Sequence, residues 1–196
     1  MRTRDQRGFG LAEMLIGLLV LSLAATALTT LMIQNSRINH AQQMLVDLQN
    51  NARSSMELIT GRLRSAGWDP LNSGLALLGF DPDPSDGVSQ IEIFADHDED
   101  GATTGDGEQV LIRHIGDRIE WRVNGDGTSP FSTIATGISN DADGDGVVEP
   151  MFAPDDAIDP RAVTIRITAR SAAPDPRTGQ FLRYTLTQEV TLRNVL

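Results

Sequence analysis

Two short segments of this chain combine residue types and spacing that suit a hard cation. In each segment three aspartates alternate with other residues and a glycine follows, namely Asp96, Asp98, Asp100 and Gly101 in the first and Asp141, Asp143, Asp145 and Gly146 in the second. Alternate carboxylates supply the oxygen ligands that calcium prefers, and the glycine permits the sharp turn of a calcium loop. The spacing therefore makes calcium a candidate ligand of both segments.

Neither acidic segment completes an EF-hand. The twelfth position, where an EF-hand has a bidentate glutamate, is Gly107 in the first segment, with Glu108 one place later, and Phe152 in the second. Irregular loops can bind calcium at the millimolar affinity of extracellular modules. The alternative is a pair of Asp-Gly turns on a solvated acidic rim. We therefore expect no required cofactor, with calcium as an optional ligand.

The three histidines do not form a recognisable catalytic pattern. His40 falls in a predicted helix, His97 in an acidic loop and His114 in a predicted strand, with no two at metal-ligand spacing on a helix. No glycine-rich phosphate loop follows a predicted strand. The sequence predicts a protein that is not an enzyme, and a membrane-anchored enzyme is the weakest of the alternatives.

A single carboxylate interrupts an apolar segment near the amino terminus. Between Phe9 and Ile33 the only charged residue is Glu13. These residues, at about 1.5 Å of helix each, are enough to cross a hydrocarbon core of about 30 Å. A charge in such a helix costs a few kcal/mol by insertion scales, so it is tolerated mainly where it faces a partner. Glu13 therefore needs an explanation beyond membrane anchoring.

The residues before the apolar segment set its orientation. Residues 1–8 contain three arginines and one aspartate, and a net-positive flank places the amino terminus in the cytoplasm. An ordinary secretory signal with a cleavage site at Ala25-Thr26-Ala27 is one alternative, and a plain single-span anchor is another. Neither alternative accounts for Glu13.

The hexapeptide Gly8-Phe9-Gly10-Leu11-Ala12-Glu13 before an apolar helix resembles the class III signal of type IV prepilins and type II secretion pseudopilins. The resemblance implies that prepilin peptidase cuts between Gly8 and Phe9, that Phe9 becomes N-methylated, and that the helix is retained. It also implies that Glu13 pairs with the terminal amine of a neighbouring subunit. A carboxylate and an ammonium attract strongly at low dielectric, whereas either alone is costly there.

The polarity changes after Ile33 but the helical period continues. One apolar stripe recurs at steps of three and four residues, through Ile38, Ala41, Leu45, Leu48, Ala52, Met56, Ile59 and Leu63. The pattern predicts an amphipathic half of the same helix over residues 34–67, ending at Gly67. We expect the stripe to pack on the chain's own globular head, with a free coiled coil as the alternative.

The end of this helix resembles one subgroup of the pilins. Residues 51–53 read Asn-Ala-Arg and residues 63–68 read Leu-Arg-Ser-Ala-Gly-Trp, which resembles the helix end of PilW-like minor pilins. The closing Leu192-Arg193-Asn194 is also similar to the end of such chains. Two departures from the major-pilin pattern, Gly10 in place of Thr or Ser and Thr30 in place of a kinking proline, agree with a minor pilin.

Residues 68–196 are predicted to form a β-rich head. Residues 68–89 have the composition of a loop, and short strands are predicted at 91–95, 110–115 and 119–123, the last two joined by a Gly116-Asp117 hairpin. Alternating residues predict two further strands, beginning near Val163 and Tyr184, that pair antiparallel. The fold class expected is α+β and type IV pilin-like, with the long helix packed on a mainly antiparallel sheet.

Charge and composition limit the partners. The formal net charge is −11, and residues 81–160 hold twenty acidic residues against three arginines. Such a surface argues against direct binding of nucleic acid. Cysteine is absent, so the head relies on its core, on a metal or on packing in an assembly. The strongly acidic stretch is expected to lie in solvated loops.

The resemblance implies a structural subunit that acts through assembly. A PilW-like minor pilin would lie in the inner membrane with a cytoplasmic amino terminus and a periplasmic head, and would then move to the pilus and cell surface. Its partners would be prepilin peptidase, minor and major pilins that contact the helix, and the inner-membrane assembly platform. The alternatives are a J-type pseudopilin of a type II secretion system and a non-polymerising, membrane-tethered domain that binds calcium or another ligand.

Overall fold

A computed structural model describes residues 10–76, 78–81, 88–124, 128–156 and 160–194. The chain divides into two units, Met1–Gln43 and Met44–Leu196. The described residues form one helix, α1 (Leu11–Leu63), and eight strands. The strands are β1 (Leu78–Asp81), β2 (Val88–Phe94), β3 (Gln109–Ile115), β4 (Arg118–Val123), β5 (Ser132–Thr136), β6 (Phe152–Pro154), β7 (Ala162–Pro174) and β8 (Phe181–Thr191).

Helix α1 contains no proline and ends slightly earlier than the sequence predicts. Its last regular residue is Leu63, and the N–H groups of Ser65 and Ala66 donate to carbonyls three residues back. Bonds of this kind tighten a final turn. Gly67 follows with φ of +70°, a left-handed conformation that glycine adopts without steric cost. The α-helix therefore ends at Leu63, and the predicted stop at Gly67 marks the end of the tighter turn that follows it.

The apolar stripe of α1 enters the core of the second unit in its later part. Leu48, Ala52, Met56, Ile59 and Leu63 are buried and pack in one cluster with the strands. Earlier members of the stripe, such as Ile38 and Leu45, remain 39% and 38% exposed. The expectation that the helix packs on its own head is confirmed from Leu48 onward.

Five strands form an antiparallel sheet in the order β1-β2-β3-β4-β5. The three strands predicted from residues 91–123 are present, and Gly116 takes φ of +63° at the first of the two hairpin positions. Strands β2 and β3 alternate between buried and half-buried residues, which is the pattern of a sheet with one face on the core. The core face of this sheet packs against the helix.

The prediction of a continuous loop over residues 68–89 was wrong in part. Residues 78–81 form β1, which pairs with β2 from Leu78↔Ile93 to Asp81↔Gln90, and β2 already begins at Val88. The composition of this segment is rich in turn formers, so its strand depends on the partner that β2 offers rather than on local preference. Residues 77 and 82–87 of the predicted loop lie outside the described residues.

The second sheet has three antiparallel strands in the order β6-β7-β8. The predicted pairing of the two last strands is confirmed, with Val163 opposite Val190 and Ile167 opposite Leu186. Val163, Ile165 and Ile167 are fully buried, as their alternation requires. Thr168 is also fully buried. Its backbone N–H donates to Oδ1 of Asn140, and its carbonyl accepts the N–H groups of Ser139 and Asn140.

The two sheets and the second part of α1 share one hydrophobic core. The cluster includes Ile91 and Ile112 from the first sheet, Ile165 from the second sheet and Ile59 from the helix. The backbone N–H of Met151 donates to the hydroxyl of Ser89 at 3.1 Å, so a buried polar contact also joins β2 to the segment before β6. The architecture is α+β and pilin-like, as the sequence predicts.

Candidate functional site

Glu13 lies at the first turn of α1, where its carboxylate has a partner within its own chain. The backbone N–H of Gly10 donates to Oε2 of Glu13 at 3.1 Å. The N–H groups of Glu13 and Met14 donate to the Gly10 carbonyl at 3.0 and 3.2 Å. A glutamate at the third helical position that reaches back to the capping residue is half of a capping box. An anionic side chain also favours the positive end of the helix dipole.

Gly8 and Phe9, between which the peptide bond is expected to be cut, lie outside the described residues. Glu13 is the predicted assembly residue that the structure describes. Its bond to the Gly10 N–H means that the carboxylate caps its own helix in the single chain.

The first part of α1 has the surface of a membrane span. The apolar side chains of this part are exposed, from Leu11 at 78% to Ile33 at 49%. Helix α1, the one helix that the described residues form, is long and apolar enough to cross a membrane. The hydroxyls of Ser22, Thr26, Thr29 and Thr30 donate to helix carbonyls three or four residues back. These polar groups are therefore satisfied within the helix, as hydrocarbon requires.

The first acidic loop brings together three carboxylates, but not the three that the sequence predicts. Oxygen atoms of Asp96, Asp98 and Glu108 lie within 4.8 Å of one another. Asp100 is not in this group, and its Oδ1 instead accepts the N–H of Ala102 at 2.8 Å. Calcium binds oxygen ligands at about 2.3–2.6 Å, so oxygens this close can share one ion. These three residues fit a calcium ion in number of charges and in spacing.

Glu108 is the centre of this loop. Its side chain is buried, and its carboxylate accepts the backbone N–H groups of Asp98, Gly105 and His97 at 3.0, 2.6 and 2.7 Å. These bonds keep the pKa of Glu108 below its usual value despite the burial. Gly105 approaches so closely that a Cβ there would lie 2.5 Å from Oε2 of Glu108. Glu108 therefore both shapes the loop and adds charge to it.

The same concentration of charge acts on Asp98. Partial desolvation beside Glu108 and the neighbouring carboxylates of Asp100, Glu108 and Asp96 raise the pKa of Asp98, although this side chain is exposed. Repulsion of this kind would be relieved by a bound cation, since a divalent ion neutralises two carboxylates at once. The first acidic loop thus has both the ligand atoms and an electrostatic reason to bind calcium.

In the second acidic loop the predicted residues do come together. Oxygen atoms of Asp141, Asp143 and Asp145 lie within 4.8 Å of one another. A positively charged side chain already lies beside this cluster, because Nη2 of Arg183 is 3.7 Å from Oδ2 of Asp141. A Cβ at Gly144 would lie 2.7 Å from Nη1 of Arg183, so the glycine lets the guanidinium cover the loop. Arg183 partly neutralises this cluster and makes it the weaker candidate for calcium.

His114 is built into the core. It is fully buried on β3, and its Nε2 lies 2.9 Å from the carbonyl oxygen of Ile138. Burial lowers the pKa of His114, so the neutral imidazole is the form that the core accommodates. His40 and His97 are exposed. A buried histidine bonded to a backbone carbonyl has the arrangement of a structural residue rather than of a general base.

A cleft of about 250 Å³ lies near the end of α1. Its lining residues are Gly67, Trp68, Asp69, Pro70, Asn72, Arg193 and Asn194. The Asp69 carboxylate accepts the N–H groups of Ser73, Leu75 and Gly74, which lower its pKa, and Nδ2 of Asn194 donates to the Ala66 carbonyl at 3.0 Å. The side chains of Asp69 and Asn194 therefore bond to the backbone around the cleft rather than point together into it.

Two residues that shape the candidate loops are not among the predicted ligands. Glu108 could have been suspected, because it lies one place beyond the position at which an EF-hand has its glutamate. Arg183 gave no local signal, since its contact with Asp141 joins residues far apart in the chain. Its place beside an acidic loop depends on how β8 packs.

Comparison with known proteins adds one finding at the amino terminus. The prokaryotic N-terminal methylation motif matches residues 3–29, which include the predicted cleavage site and Glu13. No curated protein and no solved structure matches the chain. The apolar helix and the motif fit membrane anchoring. The motif supports a type IV pilin-like prepilin, that is, a pilin or pseudopilin that is processed by prepilin peptidase and interacts with other pilins.

Proposed function

We propose that this protein is a structural minor pilin of the PilW type that supports assembly of a type IV pilus. The observation that carries the proposal is the methylation motif over residues 3–29, with a glutamate in an otherwise uncharged membrane segment. The resemblance of residues 51–53, 63–68 and 192–194 to PilW-like chains favours the minor class. The protein would act in the tip or initiation complex of the pilus.

The mechanism that we propose is packing rather than catalysis. The exposed apolar part of α1 would leave the lipid and enter the filament core, where neighbouring helices cover it. The carboxylate of Glu13 would exchange the Gly10 N–H for the methylated terminal amine of a neighbouring subunit, which selects the axial register between the two helices. The β-rich head would contact other minor pilins. No cofactor is required for these steps.

The location follows from the same features. The basic leader would keep the amino terminus in the cytoplasm, with the head in the periplasm and, after assembly, at the cell surface. The inner-membrane assembly platform and the other pilins would be the protein partners. The net charge of −11 argues against direct contact with nucleic acid.

A J-type pseudopilin of a type II secretion system is the rival within the same class. It would share the processed helix and a β-rich head, so these two features favour neither. Deletion of the gene distinguishes them, because loss of pili with intact enzyme secretion supports the minor pilin. Loss of secretion with intact pili supports the pseudopilin.

Processing is the first test of the proposal. We expect the protein purified from membranes to begin at Phe9, with one methyl group on its terminal nitrogen, as measured by intact-mass and terminal-peptide mass spectrometry. A matched variant, Gly8→Leu, should retain residues 1–8 because it changes the residue before the cut. A native protein that still carries Met1 to Gly8 would instead support the non-polymerising, membrane-tethered domain.

We also propose that the first acidic loop binds calcium as an optional ligand of the head. With a dissociation constant near 1 mM, about 10 mM calcium would add about 1.4 kcal/mol to the free energy of unfolding. For a protein of this size the melting temperature would rise by about 3–6 °C, and a chelator would reverse the rise. Magnesium should have a smaller effect, since the loop offers flexible oxygen ligands rather than an octahedral cage.

Two variants give this calcium prediction its control. Asp98→Asn removes a charge from the proposed site, and most of the calcium-dependent rise in melting temperature should disappear. Asp117→Asn removes an exposed charge at the hairpin between β3 and β4, and the full rise should remain. Equal rises in both variants would mean that the ion acts through general screening of the acidic surface.

A further inference from the structure

Strand β8 is an edge strand along its whole length. It runs from Phe181 to Thr191 and pairs with β7 on one side. Among the described residues no strand pairs with its other side, where the order of the sheet ends. An edge of this kind presents a row of backbone donors and acceptors that can pair with another chain.

This edge lacks most of the features that usually prevent such pairing. Proteins protect edge strands with proline, lysine, inward-pointing charges or short length. β8 has eleven residues, and its sequence FLRYTLTQEVT contains no proline and no lysine. Its two charged residues, Arg183 and Glu189, lie on the face opposite the core-facing Leu186. The strand therefore remains competent for pairing.

The core is also less complete at β8 than at its neighbour. The core-facing residues of β7, Val163, Ile165 and Ile167, have no exposed surface. On β8 Val190 is also buried, but Leu182, Tyr184 and Leu186 pack against the core and are only partly buried. A further strand beside β8 would cover these side chains and so add buried apolar area.

The sequence of β8 suits antiparallel pairing with a second copy of the same strand. In an antiparallel pair of two copies centred on Leu186, Arg183 of each copy lies opposite Glu189 of the other, because the two are equally far from the centre. The same register places Thr185 opposite Thr187 and Leu182 opposite Val190. Opposite charges, paired threonines and paired apolar residues are favourable cross-strand neighbours. The remaining pairs of this register are Tyr184 with Gln188 and Phe181 with Thr191.

We propose that β8 pairs with β8 of a second copy of this chain, antiparallel and centred on Leu186, to form one continuous six-stranded sheet. The contact is isologous, so a single patch supplies both halves of the interface. Arg183 is only partly engaged within its own chain, because its contact with Asp141 is long for an ion pair, at 3.7 Å. The proposal concerns the head and does not depend on the function proposed above.

A register-specific cross-link tests the pairing. The chain has no cysteine, so each introduced thiol is unique. Full-length Thr185→Cys and Thr187→Cys chains, with different epitope tags, are co-expressed, and isolated membranes are treated with a short thiol-to-thiol cross-linker. Opposite residues have Cβ atoms about 4.5–5.5 Å apart and diagonal ones about 7–8 Å, so the mixed pair should give about fivefold more dimer than Thr185→Cys alone. Thr133→Cys on β5 is the matched exposed control and should give none with Thr185→Cys.

A charge exchange then tests the identity of the occupant. In the cysteine pair, Glu189→Arg places like charges opposite each other and should reduce the cross-linked dimer several-fold. The double variant Arg183→Glu with Glu189→Arg should restore it, although the contact with Asp141 is lost. Restoration supports pairing with a second copy. Absence of the mixed cross-link, equal cross-linking by Thr185→Cys alone, or failure of the double variant to restore it would overturn the proposal.

Discussion

Replacing Glu13 with alanine is expected to leave cleavage after Gly8 intact and to reduce incorporation of the protein into pili by at least about tenfold, because a buried terminal ammonium would lose its counter-charge. Breaking a buried ion pair costs more than the roughly 1.4 kcal/mol that a tenfold change represents. The measurement is quantitative immunoblotting of sheared pili against total membrane protein. Normal incorporation of the variant would refute the intersubunit pairing.

The capping bond of Glu13 requires a second variant. Glu13→Gln keeps an oxygen that can accept the Gly10 N–H, so the helix start should persist while the negative charge is lost. If charge drives assembly, the glutamine variant should be as poorly incorporated as the alanine variant. Incorporation close to that of the native chain would mean that the helix cap is what matters. Asp47→Ala, which removes an exposed carboxylate from α1 beyond the apolar segment, is the matched control and should assemble normally.

The second large effect is expected at the contact between α1 and the sheets. Ile59→Ala should lower the free energy of unfolding of the head by about 2–5 kcal/mol, since it removes a fully buried side chain and leaves a cavity in a packed core. Denaturant unfolding of the full chain in detergent, followed by tryptophan fluorescence, measures this change.

A matched variant on the same helix provides the comparison. Val46 is 51% exposed, and Val46→Ala should change the free energy of unfolding by less than about 0.5 kcal/mol. If Ile59→Ala were as mild as Val46→Ala, the later part of the stripe would not pack on the head, and a free coiled coil would become the better interpretation.

The pairing of neighbouring elements was well predicted because local rules govern it. The two residues Gly116 and Asp117 between two β-rich segments were sufficient to predict the hairpin of β3 and β4. Alternation over β7 and β8 was sufficient for their antiparallel pairing. The stripe of α1 likewise predicted which helical residues are buried from Leu48 onward.

The short strands were missed for a physical reason. β1, β5 and β6 have four, five and three residues, too few for a period to stand out from turn-forming neighbours. Their pairing with β2, β4 and β7 provides the hydrogen bonds that their own composition does not predict. Thr168 shows the same limit, because its burial depends on the distant backbone of Ser139 and Asn140.

The sequence by itself determined the long apolar segment, the unusual carboxylate within it and the class of fold, because charge, hydropathy and period act over a few neighbouring residues. Only the tertiary structure decided which carboxylates meet in the first acidic loop, where Glu108 takes the place predicted for Asp100. It also decided that Arg183 covers the second loop and that, among the described strands, β8 lies at the edge of its sheet. These outcomes depend on contacts between residues far apart in the chain, whose geometry no local pattern encodes.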